Sequence, residues 1–389
     1  MLTLLMRACS IGSTLIGITI VMFLVLEVCS WGIMQVYYTV KIDDDRNPMQ
    51  YSDETLRTLY KIPGSDAAEL SARRRMLREL WQRVAQYEPL VEYSEAPFDG
   101  EFVNVSEDHY RHIKDQVPLS SSEHKRVFVF GGSTAFGYGV RDDETIASYL
   151  QEYLNEGANN DRFAVYNFGN GYYYSTLERI RLEKQLTAGL VPDIAVFIDG
   201  LNDISLYLLP DQSGQSSYLQ ALVSHNKLLI ALRASNTMTL LTKIVKRILD
   251  QPAKPPPSDA QVLAALDRLQ TNRRILEAIC KRFGIVPVFV HQPAPYYRFD
   301  NSKRAIPLSD SMENRIRGMA SNINLAYTEL VRRREQGLLR VDHMLWLEDF
   351  SIEENQYVDY VHYSPDFNRA IGREIGKHIY SPPMELPVR

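Results

Sequence analysis

Val127, Phe128, Val129 and Phe130 are four consecutive apolar residues that run directly into Gly131, Gly132 and Ser133. A strand that is apolar at every position has no face to offer to water, so it belongs inside a parallel sheet covered on both sides. Two glycines at its end let the backbone turn sharply. Ser133 then falls in the first turn of a following helix, where unpaired N–H groups favour developing negative charge. A hydroxyl so placed suits a nucleophile, and it equally suits a plain N-cap at a strand-to-helix turn. Other glycine-rich patterns fail here. Tyr138 follows Gly137 where a phosphate loop needs lysine, G-x-G-x-x-G is absent, and Ala135 stands where G-x-S-x-G needs its second glycine.

The same pattern repeats along the chain. Phe163 to Asn167, Ile194 to Ile198 and Ile285 to Val290 are further short apolar runs. Between them lie helical periodicities: Ile146, Leu150 and Leu154 after the acidic Asp142, Asp143 and Glu144; Ser175 and Glu178 as a capping box for a helix ending near Gly189; Leu263, Leu266, Leu269, Leu276 and Ile279. A last helix opens at Ser364 and Pro365, serine as N-cap and proline at N1, and buries Phe367, Ile371, Ile375 and Ile379. Strand and helix in alternation predict a three-layer α/β/α fold around a parallel sheet. The alternation is interrupted between Ile204 and Ser258 by a leucine-rich helical insertion ending in a proline-rich run. Leu240, Leu241, Ile244, Val245 and Ile248 share one face and Lys243, Lys246 and Arg247 the other, so it reads first as a lid over the sheet edge and second as a membrane-surface element.

At the amino terminus, residues 8–26 carry no charge and the apolar character resumes after Glu27 as far as Val40, enough helix to cross a bilayer core of roughly 30 Å. Arg7 lies before this run and Asp43, Asp44 and Asp45 after it, a bias that predicts a cytoplasmic N-terminus and an extracytoplasmic body. Trp31, Tyr37 and Tyr38 would sit at the outer interface. The expected organisation is a transmembrane anchor over 8–40, a stalk or N-terminal extension over 41–125 with one helix near Asp66 to Gln86, and a catalytic body over 126–389 with its insertion at 204–258. A net charge of −5 gives no electrostatic case for nucleic acid. With three cysteines, two of them in the apolar N-terminus, neither a disulfide framework nor a thiolate zinc site is available. His109 and His112 lie three apart without a third ligand in spacing, which reads as a solvated pair.

In an open parallel sheet the carboxyl ends of the strands share one edge, so residues just beyond separate strands meet in space. Four such turns are polar or glycine-rich: Ser133; Asn167 through Tyr174, which includes Gly169 and Gly171; Asp199, Gly200, Leu201, Asn202 and Asp203; and Asp359 with His362. Asp359 and His362, three apart, share a face in a helical turn, which makes them a base and its orienting carboxylate. A serine hydroxyl needs such a base to attack a carbonyl, and Asn202 with turn N–H groups would stabilise the resulting oxyanion.

With these residues in view, the chain resembles the SGNH (GDSL-like) hydrolases, of the membrane-anchored bacterial type. Gly131 to Thr134 resembles the nucleophile block, Gly200, Leu201, Asn202 and Asp203 the G-x-N-D block, and Asp359 to His362 the D-x-x-H block, a likeness covering about 126 to 380. His291, Gln292 and Pro293, and the stretch from Phe98 to Asn104, look similar to segments of the membrane-anchored members. The resemblance implies a flavodoxin-like sheet, Ser133 as nucleophile, His362 as base, Asp359 as its orienter, and an oxyanion hole from the Ser133 N–H, a second-block N–H and the Asn202 side chain. The second-block glycine of the family falls at Tyr172 or, with a slip of one residue, at Gly171. The expected function is serine esterase action, without cofactor or metal, on an acyl ester such as an acetyl ester of an extracytoplasmic glycan or lipid. An O-acyltransferase using the same acyl-enzyme and an inactive glycan-binding or scaffold protein are the alternatives.

Overall fold

A computed structural model of the chain describes residues 14–15, 17–33, 48–156, 162–205, 235–238, 240, 257–300, 304–305, 310–339, 341–353 and 355–381. The chain divides into two compact units, Met1–Ile42 with Gln220–Pro255, and Asp43–Leu219 with Pro256–Arg389.

In the larger unit the strands are β1 (Ala85–Glu88), β2 (Glu92–Glu95), β3 (Phe98–Asp99), β4 (Asn104–Val105), β5 (Lys125–Gly131), β6 (Phe163–Asn167), β7 (Ile194–Asp199), β8 (Val286–His291) and β9 (Met344–Trp346). The last five form one parallel sheet in the order β6-β5-β7-β8-β9. β5, the first of these five in sequence, thus lies inside the sheet. The chain reverses direction across the sheet between β5 and β7, the place where loops from two neighbouring strands open a crevice.

Alternation along the strands sorts the core into two chemistries. Val127, Val129, Val196, Ile198, Val288 and Val290 point to one face, where they meet Ile146, Leu150, Ile371 and Ile375 of helices Ile146–Glu156 and Pro365–Tyr380. Phe128, Phe130, Phe197 and Phe289 point to the other, against Leu182 of helix Ser175–Thr187 and Leu276 of helix Asp259–Phe283. The register sets Phe130 beside Phe197 and Phe197 beside Phe289. Their rings stack at 5.1 and 5.5 Å between centroids, so an aromatic row crosses three strands. The last helix begins as its sequence predicts: Ser364 Oγ accepts from the Phe367 N–H at 3.2 Å and Pro365 holds the first position.

Two expected starts differ. Asp142–Glu144 forms a separate 3₁₀ turn before the helix that starts at Ile146. Ser175 and Glu178 do not make a capping box: Ser175 Oγ donates to Asp203 Oδ1, and Glu178 is turned into the protein. A tertiary carboxylate has displaced the local cap. The helix expected near Asp66 to Gln86 spans Ala67–Gln82, with Asp66 Oδ1 accepting from Glu69 N–H at 2.8 Å; the chain beyond it turns into the hairpin β1–β2. His109 and His112 are half-buried rather than solvated. His109 lies against Gln86 and the Glu95 carbonyl, and the His112 ring stacks on Tyr110.

In the smaller unit, Glu27 accepts from Asn236 Nδ2 (2.8 Å), Thr237 N–H (3.0 Å) and Thr237 Oγ1 (2.8 Å), joining the N-terminal helix to part of the insertion. Among the described residues no helix is long and apolar enough to cross a membrane. The ends of the expected anchor, with Tyr37, Tyr38 and Asp43 to Asp45, and most of the expected lid, including Leu241 to Ile248, lie outside the described residues.

Candidate active site

Ser133 is the first residue of a four-residue helix, Ser133–Phe136, that follows β5 directly. Glycine is required before it because there is no space for a side chain. A Cβ on Gly131 would stand 2.8 Å from the Ile198 carbonyl oxygen, and one on Gly132 would stand 2.2 Å from Asn202 Nδ2. The helix is closed by Gly137 at φ +92° and held by Arg111, a fully buried residue of the N-terminal extension. Arg111 donates from Nη1 to the Phe136 carbonyl (2.9 Å), from Nη2 to that of Val140 (2.7 Å) and from Nε to Asp142 (2.9 Å). Arg111 thereby pairs the Phe136 carbonyl that the short helix leaves open, and Asn167 Nδ2 pairs that of Ala135 at 2.9 Å.

Asp359 and His362 do not share a helical turn. They sit in a tight loop closed by the Tyr357–Tyr363 bridge and by Val358 N–H donating to the His362 carbonyl at 2.9 Å. Aspartate shapes that loop itself, because its Oδ1 accepts from the N–H of Val361 (2.8 Å) and of His362 (2.7 Å). Its other oxygen, Oδ2, lies 2.6 Å from His362 Nδ1, and His362 Nε2 lies 2.9 Å from Ser133 Oγ. With Nδ1 on a carboxylate the ring is assigned its proton there, and Nε2 is left to accept from the serine hydroxyl. Burial alone would raise the Asp359 carboxyl, but the imidazole and the two N–H donors outweigh it and hold the group below the usual carboxylate value. Arg304 donates to the Asp359 carbonyl at 3.0 Å and Tyr296 to that of Tyr360 at 2.6 Å, fixing the loop from outside.

Asn202 stands in the short helix Leu201–Ser205 after β7 and donates through Nδ2 to the Tyr173 carbonyl at 2.7 Å, leaving one amide hydrogen uncommitted beside Gly132. Gly200 precedes it at φ +122°, with His291 packed 2.7 Å from where its Cβ would be. The loop after β6 wraps the same corner. Asn170 N–H donates to the Gly131 carbonyl (3.0 Å), and a Cβ on Gly169 would stand 2.5 Å from the Phe136 nitrogen. Within this loop it is Tyr172, at φ +62° and 63% exposed, that takes the left-handed conformation natural to glycine. Gly171 is set against Tyr138 and Glu95.

Behind the Asn202 turn lies a buried ionic cluster. Arg273 donates to Asp199 Oδ1 and to His291 Nδ1 (3.3 Å); Asp203 accepts from Ser175, whose hydroxyl also accepts from Asn272 (2.9 Å). Since guanidinium only donates, His291 Nδ1 accepts, and burial with Arg273 beside it drives the ring's pKa well below its ordinary value. Burial pushes Asp199 up to about 7 against the pull of Arg273, and it raises Glu178 well above the carboxylate range beside Asp199 and Asp203. Gln292, next to His291, accepts from Thr134 at 3.5 Å, and Pro293 from Tyr363 at 2.7 Å, so this segment links the two halves of the site.

Of the residues named from sequence, Ser133, His362, Asp359 and Asn202 meet at one corner of the sheet edge, with the Gly171–Tyr172 turn beside them. Arg111, Arg304, Glu95 and Tyr138 were not visible as site residues, because each acts through partners distant in sequence. Among the described residues no group of His, Cys, Asp and Glu is arranged to hold a metal ion.

No protein-family model and no curated protein matches the chain. Solved structures do. The chain is similar to a protein ascribed to the G-D-S-L lipolytic family from Desulfitobacterium hafniense DCB-2, at 12% identity over 66% of this chain and 99% of that one, with a TM-score of 0.36. It is similar to a lipase from a goat rumen metagenome, at 15% identity over 66% and 98% with a TM-score of 0.40. A third is an acetylxylan esterase from Geobacillus stearothermophilus, at 13% identity over 68% and 97% with a TM-score of 0.35.

Proposed function

We propose that the larger unit is a serine ester hydrolase of SGNH type. The observation that carries this reading is the unbroken hydrogen-bonded line from Ser133 Oγ through the His362 ring to the Asp359 carboxylate. In the reaction, Ser133 Oγ bonds to the acyl carbonyl carbon while its proton passes to His362 Nε2, and Asp359 stabilises the imidazolium through Nδ1–H. The Ser133 N–H, the free Asn202 amide hydrogen and an N–H of the Gly171–Tyr172 turn receive the oxyanion, with Tyr172 in the conformation that suits such a donor. Collapse of the tetrahedral intermediate breaks the ester C–O bond, and the leaving alcohol takes the proton from His362. Water then gives its proton to His362 and its oxygen to the acyl carbon, and the acid departs as Ser133 regains its proton.

The uncharged run from Ala8 to Leu26, with Arg7 before it and Asp43 to Asp45 after it, supports a membrane anchor that leaves this site outside the cytoplasm, facing acylated glycans or lipids. The test is turnover of p-nitrophenyl acetate by the full chain, with and without an added glycan acceptor. Serine-dependent release that needs no acceptor is expected. A single equivalent released without acceptor, with turnover beyond it only when acceptor is present, would favour acyl transfer, and equal rates for wild type and Ser133→Ala would end the enzyme reading.

A further inference from the structure

Tyr138, five residues beyond the nucleophile, lays its ring against the imidazole of His362, with centroids 5.3 Å apart and planes 20° from parallel. From this stacking and the contacts that fix it, we infer that Tyr138 is a positioning residue for His362, and that the N-terminal extension, through Arg83 and Trp81 packed on its ring, is what holds it there. The inference rests on the hydrolase reading and concerns the same site.

The ring is fixed on every side. Its hydroxyl donates to Glu95 Oε1 at 2.8 Å, and Glu95 Oε2 faces Arg83 Nη2 at 3.4 Å. Arg83 is almost fully buried and lies over two rings, 4.5 Å from the centroid of Phe136 and 5.5 Å from that of Tyr138. Trp81 meets the other edge of Tyr138 at 5.4 Å. The backbone of Tyr138 runs between Gly137 (φ +92°) and Gly139 (φ +87°), and its N–H donates to the Ser133 carbonyl at 3.0 Å. Gly171 is the space this arrangement needs: a Cβ there would stand 3.0 Å from the Tyr138 hydroxyl and 3.2 Å from Glu95 Oε1.

What the ring does follows from its charge distribution. An aromatic face is electron-rich and attracts a cation. Among the described residues, Asp359 and Ser133 hydrogen-bond the His362 ring and Tyr138 stacks on it; burial first, and then Glu95, keep the Tyr138 phenol neutral. His362 becomes a cation only as Ser133 gives up its proton, so the ring's attraction is stronger in the transition state than before it. An interaction of that kind raises kcat and leaves substrate binding alone. The same ring stops the imidazole swinging out of line with Ser133.

The experiment uses the full chain and p-nitrophenyl acetate. Tyr138→Leu is expected to lower kcat by about 2- to 30-fold with KM little changed, and Tyr138→Phe, which keeps the ring, to retain most of the rate. A series from Tyr138→Phe through mono-, di- and trifluorinated phenylalanine at the same position weakens the ring's negative face without changing its shape, and kcat should fall stepwise along it. A flat series, or a folded Tyr138→Leu variant at wild-type kcat, overturns the inference while leaving the hydrolase reading intact. A wild type with no serine-dependent turnover removes the reading itself.

Discussion

Asp359 and Glu178 are both buried carboxylic acids of the same unit, and burial acts on them in opposite company. Asp359 accepts from two backbone N–H groups and an imidazole, and its pKa is held below the ordinary value. Glu178 has neither oxygen in a hydrogen bond, faces Asp199 and Asp203, and is pushed far above it. Asp199, with Arg273 as partner, is raised to about 7. The contrast teaches that depth alone does not decide the charge of a buried carboxylate; the balance between burial and the donors and charges around it does, and at Asp203, which accepts from Ser175 and is still raised, burial wins. Asp359 has donors enough to outweigh its burial, whereas in the cluster behind the Asn202 turn three carboxyls share one guanidinium and all three are raised.

The largest expected effect breaks the anionic end. Asp359→Asn preserves the shape of the loop but lets the His362 ring take the wrong tautomer, and kcat on p-nitrophenyl acetate should fall by about 10³- to 10⁴-fold with little change in thermal midpoint. Next, Arg273→Met strands Asp199 without its cation; denaturant unfolding at pH 7 should show a loss of about 3–5 kcal/mol, recovered in part at pH 5, where Asp199 is protonated. Asn202→Ala should cost about 10²-fold or more in kcat through the missing oxyanion donor.

The smallest effect sharpens the comparison most. Glu178→Gln replaces a neutral acid by a neutral amide, so unfolding free energies should agree within about 1 kcal/mol at pH 5. The pH dependence has a definite sign. A carboxyl whose pKa is raised on folding binds a proton in the native state that the unfolded chain has released, so its contribution to stability declines as pH rises above the ordinary carboxylate value. The glutamine variant has no such group, and its stability relative to wild type should therefore improve as pH is raised from 5 to 8. Asp359 runs the other way: its contribution is present above the ordinary carboxylate value and is lost as pH falls through its lowered pKa.

Much of this architecture can be read from the chain because it is written locally. Consecutive apolar residues in Val127–Phe130 and Ile194–Ile198 mark strands buried on both faces, and Ser364 with Pro365 marks a helix start, because each signal lies within a few residues of what it specifies. Ser133 and Asn202 stand out for a related reason: each follows a buried apolar run at a turn that packing alone does not explain, while Asp359 and His362 stand out by their residue types and spacing. What stays hidden depends on distant partners. Ser175 and Glu178 have capping-box spacing, yet the partner of Ser175 is Asp203, 28 residues away. Spacing of three suits Asp359 and His362 to a helix, but backbone N–H groups accepted by the aspartate curl the segment into a loop. The edge strand β9 is three half-buried residues, too short to show a period. Arg111 and Glu95 are single polar residues outside the periodic helix of the extension, and only the folded chain brings them to the Ser133 corner.

The proposed activation of the Ser133 oxygen by His362 can be probed by reaction of the full chain with a fluorophosphonate, followed by peptide mapping by mass spectrometry. The expected result is one adduct, on Ser133, formed at a rate that drops sharply in His362→Ala and vanishes in Ser133→Ala. An unlabelled Ser133 in folded wild-type protein, or labelling at the same rate without the histidine, would contradict it.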